Sequence, residues 1–228
     1  MEEKIPMMST LLWMFIFLVL LASPALADPL LGSWEQPHAT PTLPVHFSVL
    51  PNGKLLLWSR EMPSHEQSEY TYLFNPVTGT YTRGPYFPDL FCSGHAFLPN
   101  GSLLVAGGVG TGAGSFMGYA YRTNTWIQGP TMRGYRYYPT NVPLADGRQL
   151  ILGGGAGEGQ ENPLPQIWTS EGWQNLTGAV KVVPEYAWAM QAPNGKVLMF
   201  GPKERGLYLN VEGVGSWSPF RGTALHVN

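Results

Sequence analysis

The chain has 228 residues, of which 44% are hydrophobic and 12% are charged, and its net charge is −2. This hydrophobic content is typical of a folded globular protein and argues against a disordered chain. The near balance of charges, without a basic run, excludes a nucleic-acid-binding surface. The 28 glycines and 21 prolines favour short strands joined by tight turns over long helices.

An apolar run stands near the start of the chain. It covers residues 11–22, and the small residues Ala25 and Ala27 follow in the pattern that a signal peptidase cleaves. A helix of this length extends about 18 Å, which is shorter than the roughly 30 Å hydrocarbon core of a bilayer. We therefore predict an export signal over residues 1–27, a mature chain that starts at Asp28, no stable membrane span after cleavage, and a secreted or periplasmic location. An uncleaved anchor is the alternative.

Four similar turns recur along the rest of the sequence. Each contains an Asn-Gly or Asp-Gly pair followed by a short apolar run, and successive turn glycines are 48, 46 and 48 residues apart. Such a pair can adopt the positive φ values of a type I′ turn, so each turn predicts a β-hairpin. The turn glycines are Gly53, Gly101, Gly147 and Gly195.

Each repeat has the size and the parts of a propeller blade. A hairpin, a buried strand and a late aromatic residue within one such repeat are typical of the four-stranded antiparallel blade of kelch type. The sequence therefore predicts an all-β fold, a kelch-like β-propeller with four blades present out of the seven of a complete propeller. We place the propeller segment at residues 28–228, with blades at about 46–84, 94–130, 138–177 and 187–220.

Two short motifs stand out from the repeats. One, Phe-Cys-Ser-Gly-His, contains Cys92, and the other, Arg-Tyr-Tyr-Pro-Thr, contains Tyr138. Cys92 lies nine residues before Gly101, and Tyr138 lies nine residues before Gly147. Equivalent positions in neighbouring blades lie at the same height near the propeller axis, where binding sites form. We therefore expect the side chains of Cys92 and Tyr138 to face each other.

These motifs, followed by Asp-Gly-Arg, resemble the galactose oxidase/glyoxal oxidase family of copper-radical oxidases. The resemblance implies that the Cys92 sulfur is joined to the Tyr138 ring as a thioether, and that Tyr138 ligates copper and carries the radical. It also implies a small alcohol, aldehyde or carbohydrate substrate, with dioxygen reduced to peroxide. Tyr135 is the alternative to Tyr138, but Tyr138 reaches its turn without a gap and follows Arg136 as the motif requires.

The sequence departs from this family in two respects. No segment matches the axial Tyr-His pair and the late His that complete the copper site, and His226 is isolated. In that family an aromatic residue stacks over the cross-link, and this sequence has Ala156 at the corresponding position. The difference argues against galactose-type recognition. We therefore expect the N-terminal propeller portion of a secreted oxidase, nearer the glyoxal oxidase branch. As this chain alone, we expect it to be inactive and to bind no copper.

A non-catalytic kelch-type module that binds carbohydrate or protein through its blade loops is the rival interpretation. Under it, Cys92 is a small buried hydrophobic residue, and the tyrosines around it line the channel. His95 is predicted to be structural in either case. Arg133 and Arg136 are predicted to be solvated at the rim of the channel.

Overall fold

The computed structural model describes residues 34, 36–60, 70–87, 89–110, 114–155, 160–202 and 206–220. The predicted export signal, Ala156 and His226 lie outside the described residues. The chain divides into two compact units, residues 1–39 and 40–228, and the fold below is that of the second unit. No helix in the described part of the chain has the length and apolar character needed to cross a bilayer.

The second unit contains sixteen β-strands in four antiparallel sheets, each built from four consecutive strands. The first sheet has β1 (His46–Val49), β2 (Leu55–Trp58), β3 (Tyr70–Asn75) and β4 (Thr80–Tyr86). The second has β5 (Gly94–Phe97), β6 (Leu103–Ala106), β7 (Phe116–Ala120) and β8 (Thr125–Gln128). The third has β9 (Thr140–Pro143), β10 (Gln149–Leu152), β11 (Gln166–Thr169) and β12 (Gly172–Asn175). The fourth has β13 (Trp188–Gln191), β14 (Val197–Gly201), β15 (Leu207–Asn210) and β16 (Ser216–Pro219).

The sheets are arranged like the blades of a propeller. Strand β9 contacts both β5 and β13, so the first strands of the last three sheets lie side by side. Apolar clusters fill the spaces between successive sheets, and all four residues of both β6 and β10 are buried. A sheet that is apolar on both faces is stable only between neighbours. The predicted all-β, propeller-like fold is thus confirmed.

The hairpin between the first two strands of each sheet has the same turn. In the first sheet, Gly53 N–H donates to Leu50 O at 2.9 Å and Leu50 N–H donates to Lys54 O at 2.8 Å. Only the glycine has a positive φ among the described residues of these turns, 78° at Gly53. The expected type I′ turn is therefore wrong: it is a type I turn followed by a glycine bulge. In this turn the ring of Pro51 fixes φ near −65° and so excludes the positive φ that the first central residue of a type I′ turn needs.

This turn recurs with the same hydrogen bonds in the other three sheets. The Asn or Asp before each glycine accepts a hydrogen bond from the N–H two residues later, over 2.9–3.2 Å. The glycine φ values are 82°, 89° and 79° at Gly101, Gly147 and Gly195. The local chemistry of the turn therefore determines the repeat.

A second glycine, Gly107, brings the end of β6 close to the segment that carries Tyr138. Gly107 has φ +79°, and a Cβ there would collide with the Arg136 backbone oxygen and lie 3.0 Å from Pro139 Cγ. We expect Gly107→Ala to lower the free energy of unfolding by roughly 2–4 kcal/mol, through the strained backbone and overpacking together. Urea denaturation of the purified chain measures the loss.

Gly53→Ala is the matched control for Gly107→Ala. Gly53 has φ +78°, but no atom lies within 4 Å of the added Cβ. This variant therefore carries the backbone strain alone, roughly 1–2 kcal/mol. Equal losses in the two variants would contradict the close approach at Gly107.

Candidate functional site

Cys92 and Tyr138 lie at equivalent places in neighbouring sheets. Each is two residues before the first strand of its sheet, β5 or β9. Both have a φ of 60°, and the Tyr138 N–H donates to the Cys92 carbonyl oxygen at 2.9 Å. The structure thus brings together the two residues that the motifs single out.

The side chains of these two residues also meet. Cys92 is a free cysteine that is 4% exposed, and its thiol is close enough to the Tyr138 and Tyr137 side chains for both to influence its pKa. Burial raises the pKa of the Cys92 thiol, and the two tyrosine side chains oppose that rise only in part. The thiol is therefore protonated at neutral pH.

Tyr138 lies between two other tyrosine rings. The Tyr137 hydroxyl donates to the Tyr138 hydroxyl at 2.7 Å, and their ring centroids are 3.8 Å apart. The Tyr186 ring lies 4.8 Å from the Tyr138 ring. The interaction with the Cys92 side chain raises the pKa of Tyr138, whereas burial is the main cause of the raised pKa values of Tyr137 and Tyr186. All three phenols are therefore protonated at neutral pH.

Tyr186 was not predicted as a site residue, although the sequence contains a signal for it. Tyr186 lies nine residues before Gly195, which is the spacing that relates Cys92 and Tyr138 to their own turns. Its N–H donates to the Tyr138 carbonyl oxygen at 2.9 Å, and its hydroxyl donates to the Ser93 carbonyl oxygen at 3.3 Å. The same spacing rule, applied to the fourth repeat, would have placed Tyr186 at this site.

His46 is a second residue that the sequence analysis missed. The Cys92 N–H donates to His46 Nε2 at 2.9 Å. The His46 ring stacks on Trp58, with centroids 5.1 Å apart and planes 14° from parallel, and it meets His95 edge-on at 5.6 Å. Burial, with a smaller contribution from His95, lowers the pKa of His46 to about 4. His46 is therefore neutral near pH 7 and can accept the hydrogen bond.

The low pKa of His46 predicts acid sensitivity. The folded pKa is about 4 and the ordinary value is 6.5, so the unfolded chain binds more protons than the folded chain between these pH values. The contribution to stability is complete above pH 6.5 and is lost as the pH falls toward 4, by up to about 3 kcal/mol. We expect His46→Gln to remove this part of the pH dependence in urea denaturation. If the free energy of unfolding of the wild type and of His46→Gln fell in parallel as the pH is lowered, the low pKa of His46 would be contradicted.

Arg136 does not lie at the rim of a channel, and its predicted solvation there is wrong. Its side chain is fully buried, at 0% exposure, and burial lowers its pKa to about 10. The guanidinium donates to the carbonyl oxygens of Gly153 and Leu164 and to Gln166 Oε1. A planar cation with five donors can be buried where backbone carbonyls surround it. Arg133, in contrast, is exposed.

A cavity of about 630 Å³ opens at Cys92 and Tyr138, and Tyr186, His46 and His95 also line it. Among the described residues, no three His, Cys, Asp or Glu side chains converge in a way that could hold a metal ion. Copper(II) prefers several nitrogen and oxygen donors, and His46 Nε2 already accepts the Cys92 hydrogen bond. The described side chains therefore do not fit a complete copper centre.

A larger groove, of about 960 Å³, contains neither Cys92 nor Tyr138. The turn residues Asp146 and Arg148 and the indoles of Trp168 and Trp173 line it. Arg148 forms ion pairs there with Asp146 at 2.7 Å and with Glu212 at 2.5 Å. This groove is a second concave surface with both aromatic and charged groups.

The chain is similar in sequence to two curated proteins. No family model matches the chain. Two galactose oxidases from Gibberella zeae are each 27% identical to it over 205 residues, which covers 77% of this chain and 29% of the relative. The chain therefore spans less than a third of the length of these curated relatives.

A solved structure shows the same fold. It is a fungal alcohol oxidase of the AA5 family in complex with copper, with a TM-score of 0.71 and 24% sequence identity. The match covers 82% of this chain and 43% of that one. The similarity in sequence to galactose oxidase agrees with the resemblance that the two motifs indicate. Over this part of its relatives' length, the chain is similar to galactose oxidase.

Proposed function

We propose that this chain is the propeller portion of a secreted copper-radical oxidase-like protein, in which Cys92 and Tyr138 form a thioether-modified tyrosine. The observation that carries the proposal is the pairing of Cys92 and Tyr138 across adjacent sheets: the Tyr138 N–H donates to the Cys92 carbonyl oxygen at 2.9 Å, and both residues line one cavity. A kelch-type propeller used only for binding has no chemical need for this pair. The similarity to galactose oxidase over 77% of the chain supports the same reading.

The chemistry of the pair is a two-electron oxidation. The Cys92 S–H and one ring C–H of Tyr138 are lost, a C–S bond forms, and two protons and two electrons pass to dioxygen to give hydrogen peroxide. A sulfur next to the phenol oxygen delocalises an unpaired electron and so stabilises a phenoxyl radical. In this role, Tyr138 is the radical and copper-binding residue, and Cys92 tunes it.

The proposed reaction of the whole protein is oxidation of a small alcohol or aldehyde by dioxygen. Ala156 stands at the position where the resemblance places an aromatic residue over the cross-link. Its small side chain favours an aldehyde-type substrate over galactose. Tyr138 is the one copper ligand that the resemblance assigns to a residue of this chain. We therefore expect the 228-residue chain by itself not to turn over.

The test is to treat the purified mature chain with excess copper(II) in air, because a single oxidation of the pair needs only transient copper at Tyr138, whereas turnover needs a complete copper site. We expect its intact mass to fall by two hydrogen atoms, and tandem mass spectrometry to join the Cys92 and Tyr138 peptides. Peroxide production from aldehydes should stay at the rate of the buffer control. An unchanged mass would contradict the pairing, and sustained peroxide production would contradict the inactivity of this chain.

Export is tested separately. If residues 1–27 are a cleaved signal, N-terminal sequencing of secreted material should begin near Asp28. Recovery of the chain in a membrane fraction with Met1 intact would show an uncleaved anchor instead.

A non-catalytic binding role is the second candidate, and the larger groove favours it. Indole rings beside carboxylates and a guanidinium, here Trp168, Trp173, Glu171 and Arg148, match the surfaces of a sugar. Titration with oligosaccharides, followed by tryptophan fluorescence, tests this role. A saturable signal that Trp168→Ala removes would support it, and an unchanged spectrum would contradict it.

A further inference from the structure

Three residues with strained backbones occupy the same place in three successive sheets. Cys92, Tyr138 and Tyr186 have φ values of 60°, 60° and 47°, and each lies two residues before the first strand of its sheet. Such values are uncommon for residues other than glycine and persist only where surrounding contacts hold them. The described part of the chain has one further case, Asn124, which lies in a turn of the second sheet.

Hydrogen bonds link these three backbones in series. The Tyr186 N–H donates to the Tyr138 carbonyl oxygen, and the Tyr138 N–H donates to the Cys92 carbonyl oxygen, each at 2.9 Å. In each case the acceptor belongs to the equivalent residue of the preceding sheet. By the same pattern, the Cys92 N–H would donate to Pro44, which lies nine residues before Gly53.

The structure breaks this pattern at the first sheet. There the Cys92 N–H donates to a side chain, His46 Nε2, at 2.9 Å, in a buried setting. His46 is 8% exposed, and its ring is fixed between Trp58 and His95. The imidazole thus replaces a backbone carbonyl at the start of the series.

We propose that His46 is a positioning residue, whose Nε2 holds the Cys92 backbone in the left-handed conformation that presents the sulfur to Tyr138. Rotation about the N–Cα bond changes the direction of Cβ, so φ decides where the sulfur lies. The Cys92 amide needs an acceptor at that φ, because a buried N–H without one is costly. His46 acts through the Cys92 amide. This inference rests on the proposed function only for its consequence, the thioether.

Two variants separate this role from simple packing. His46→Gln retains an uncharged acceptor but removes the aromatic ring, whereas His46→Phe retains a ring but removes the acceptor. If His46 only fills space against Trp58, Phe should replace it and Gln should not. If His46 holds the Cys92 amide, Gln should replace it and Phe should not. His46→Leu is a second variant without an acceptor, in case the Phe variant does not fold.

The first measurement needs no copper. Amide hydrogen exchange by NMR reports on the Cys92 N–H, and the Leu144 N–H, bonded to Arg148 O at 2.9 Å, is the internal control. We expect the Cys92 amide to exchange slowly in the wild type and in His46→Gln. In the acceptor-free variants it should exchange about tenfold faster or more relative to Leu144. Unchanged Cys92 exchange in those variants overturns the proposal.

The second measurement is the rate of thioether formation with copper(II) in air. We expect the acceptor-free variants to be slower by about tenfold, the factor that corresponds to roughly 1.4 kcal/mol of lost preorganisation. His46→Gln should stay near the wild-type rate, and a Phe variant faster than the Gln variant would overturn the proposal. If the wild type itself forms no thioether, the proposed function fails, and the exchange of the Cys92 amide alone decides the role of His46.

Discussion

Cys92→Ser is expected to abolish thioether formation completely, because serine has no sulfur to join to the ring. Tyr138→Phe is expected to do the same, since a ring without the hydroxyl does not form a phenoxyl radical. The measurement is the intact mass of each variant after treatment with copper(II) in air. Both variants should keep the mass that they have before treatment.

Tyr135→Phe is the matched control for Tyr138→Phe. Tyr135 is the alternative partner that the motif allows, but it is 59% exposed. The Tyr138 N–H donates to the Cys92 carbonyl oxygen at 2.9 Å, and Tyr138 lines the same cavity as Cys92. The Tyr135 variant should therefore lose two hydrogen atoms as the wild type does. If Tyr135→Phe lost the cross-link and Tyr138→Phe kept it, the partner of Cys92 would be Tyr135 and not Tyr138.

Arg136→Met is expected to be the most destabilising substitution considered. It removes a buried cation and leaves three acceptors without their donor: Gly153 O, Leu164 O and Gln166 Oε1. Breaking such a buried set costs roughly 3–5 kcal/mol, which is a large part of the stability of a domain. Urea denaturation should show this loss as a lower midpoint with an unchanged slope.

Arg133→Met is the control for the buried arginine. Arg133 is exposed, so its replacement should change the free energy of unfolding by no more than about 0.5 kcal/mol. Arg136→Lys keeps a charge but loses the planar fork, and it should fall between the two. Similar losses for Arg133→Met and Arg136→Met would contradict the burial of Arg136.

The repeat and the fold could be predicted because they depend on local chemistry. A turn with a glycine at its end and an Asn or Asp before it forms wherever that short sequence occurs, so four copies predict four hairpins. The type of turn could not be predicted from the Asn-Gly pair alone. In the first sheet Pro51 precedes the pair and its fixed φ favours a type I turn, and the third sheet forms the same turn with Ala145 in that place.

The site was predicted in part, for a similar reason. The offset from the turn glycine places Cys92 and Tyr138 at one height, and it also places Tyr186 there. The burial of Arg136 could not be predicted, because its acceptors lie 17 to 30 residues away. The role of His46 departs from the repeat itself, since a side chain replaces a backbone carbonyl. No pattern in the sequence indicates that the His46 side chain replaces a backbone carbonyl.

A crystal structure of the copper-free mature chain tests the central claim, that Cys92 and Tyr138 are paired across adjacent sheets. We predict that the Cys92 sulfur contacts the Tyr138 hydroxyl and lies beside a ring carbon next to it, with both residues at positive φ. A sulfur separated from that ring by a distance like that between packed sheets, roughly 10 Å, would contradict it.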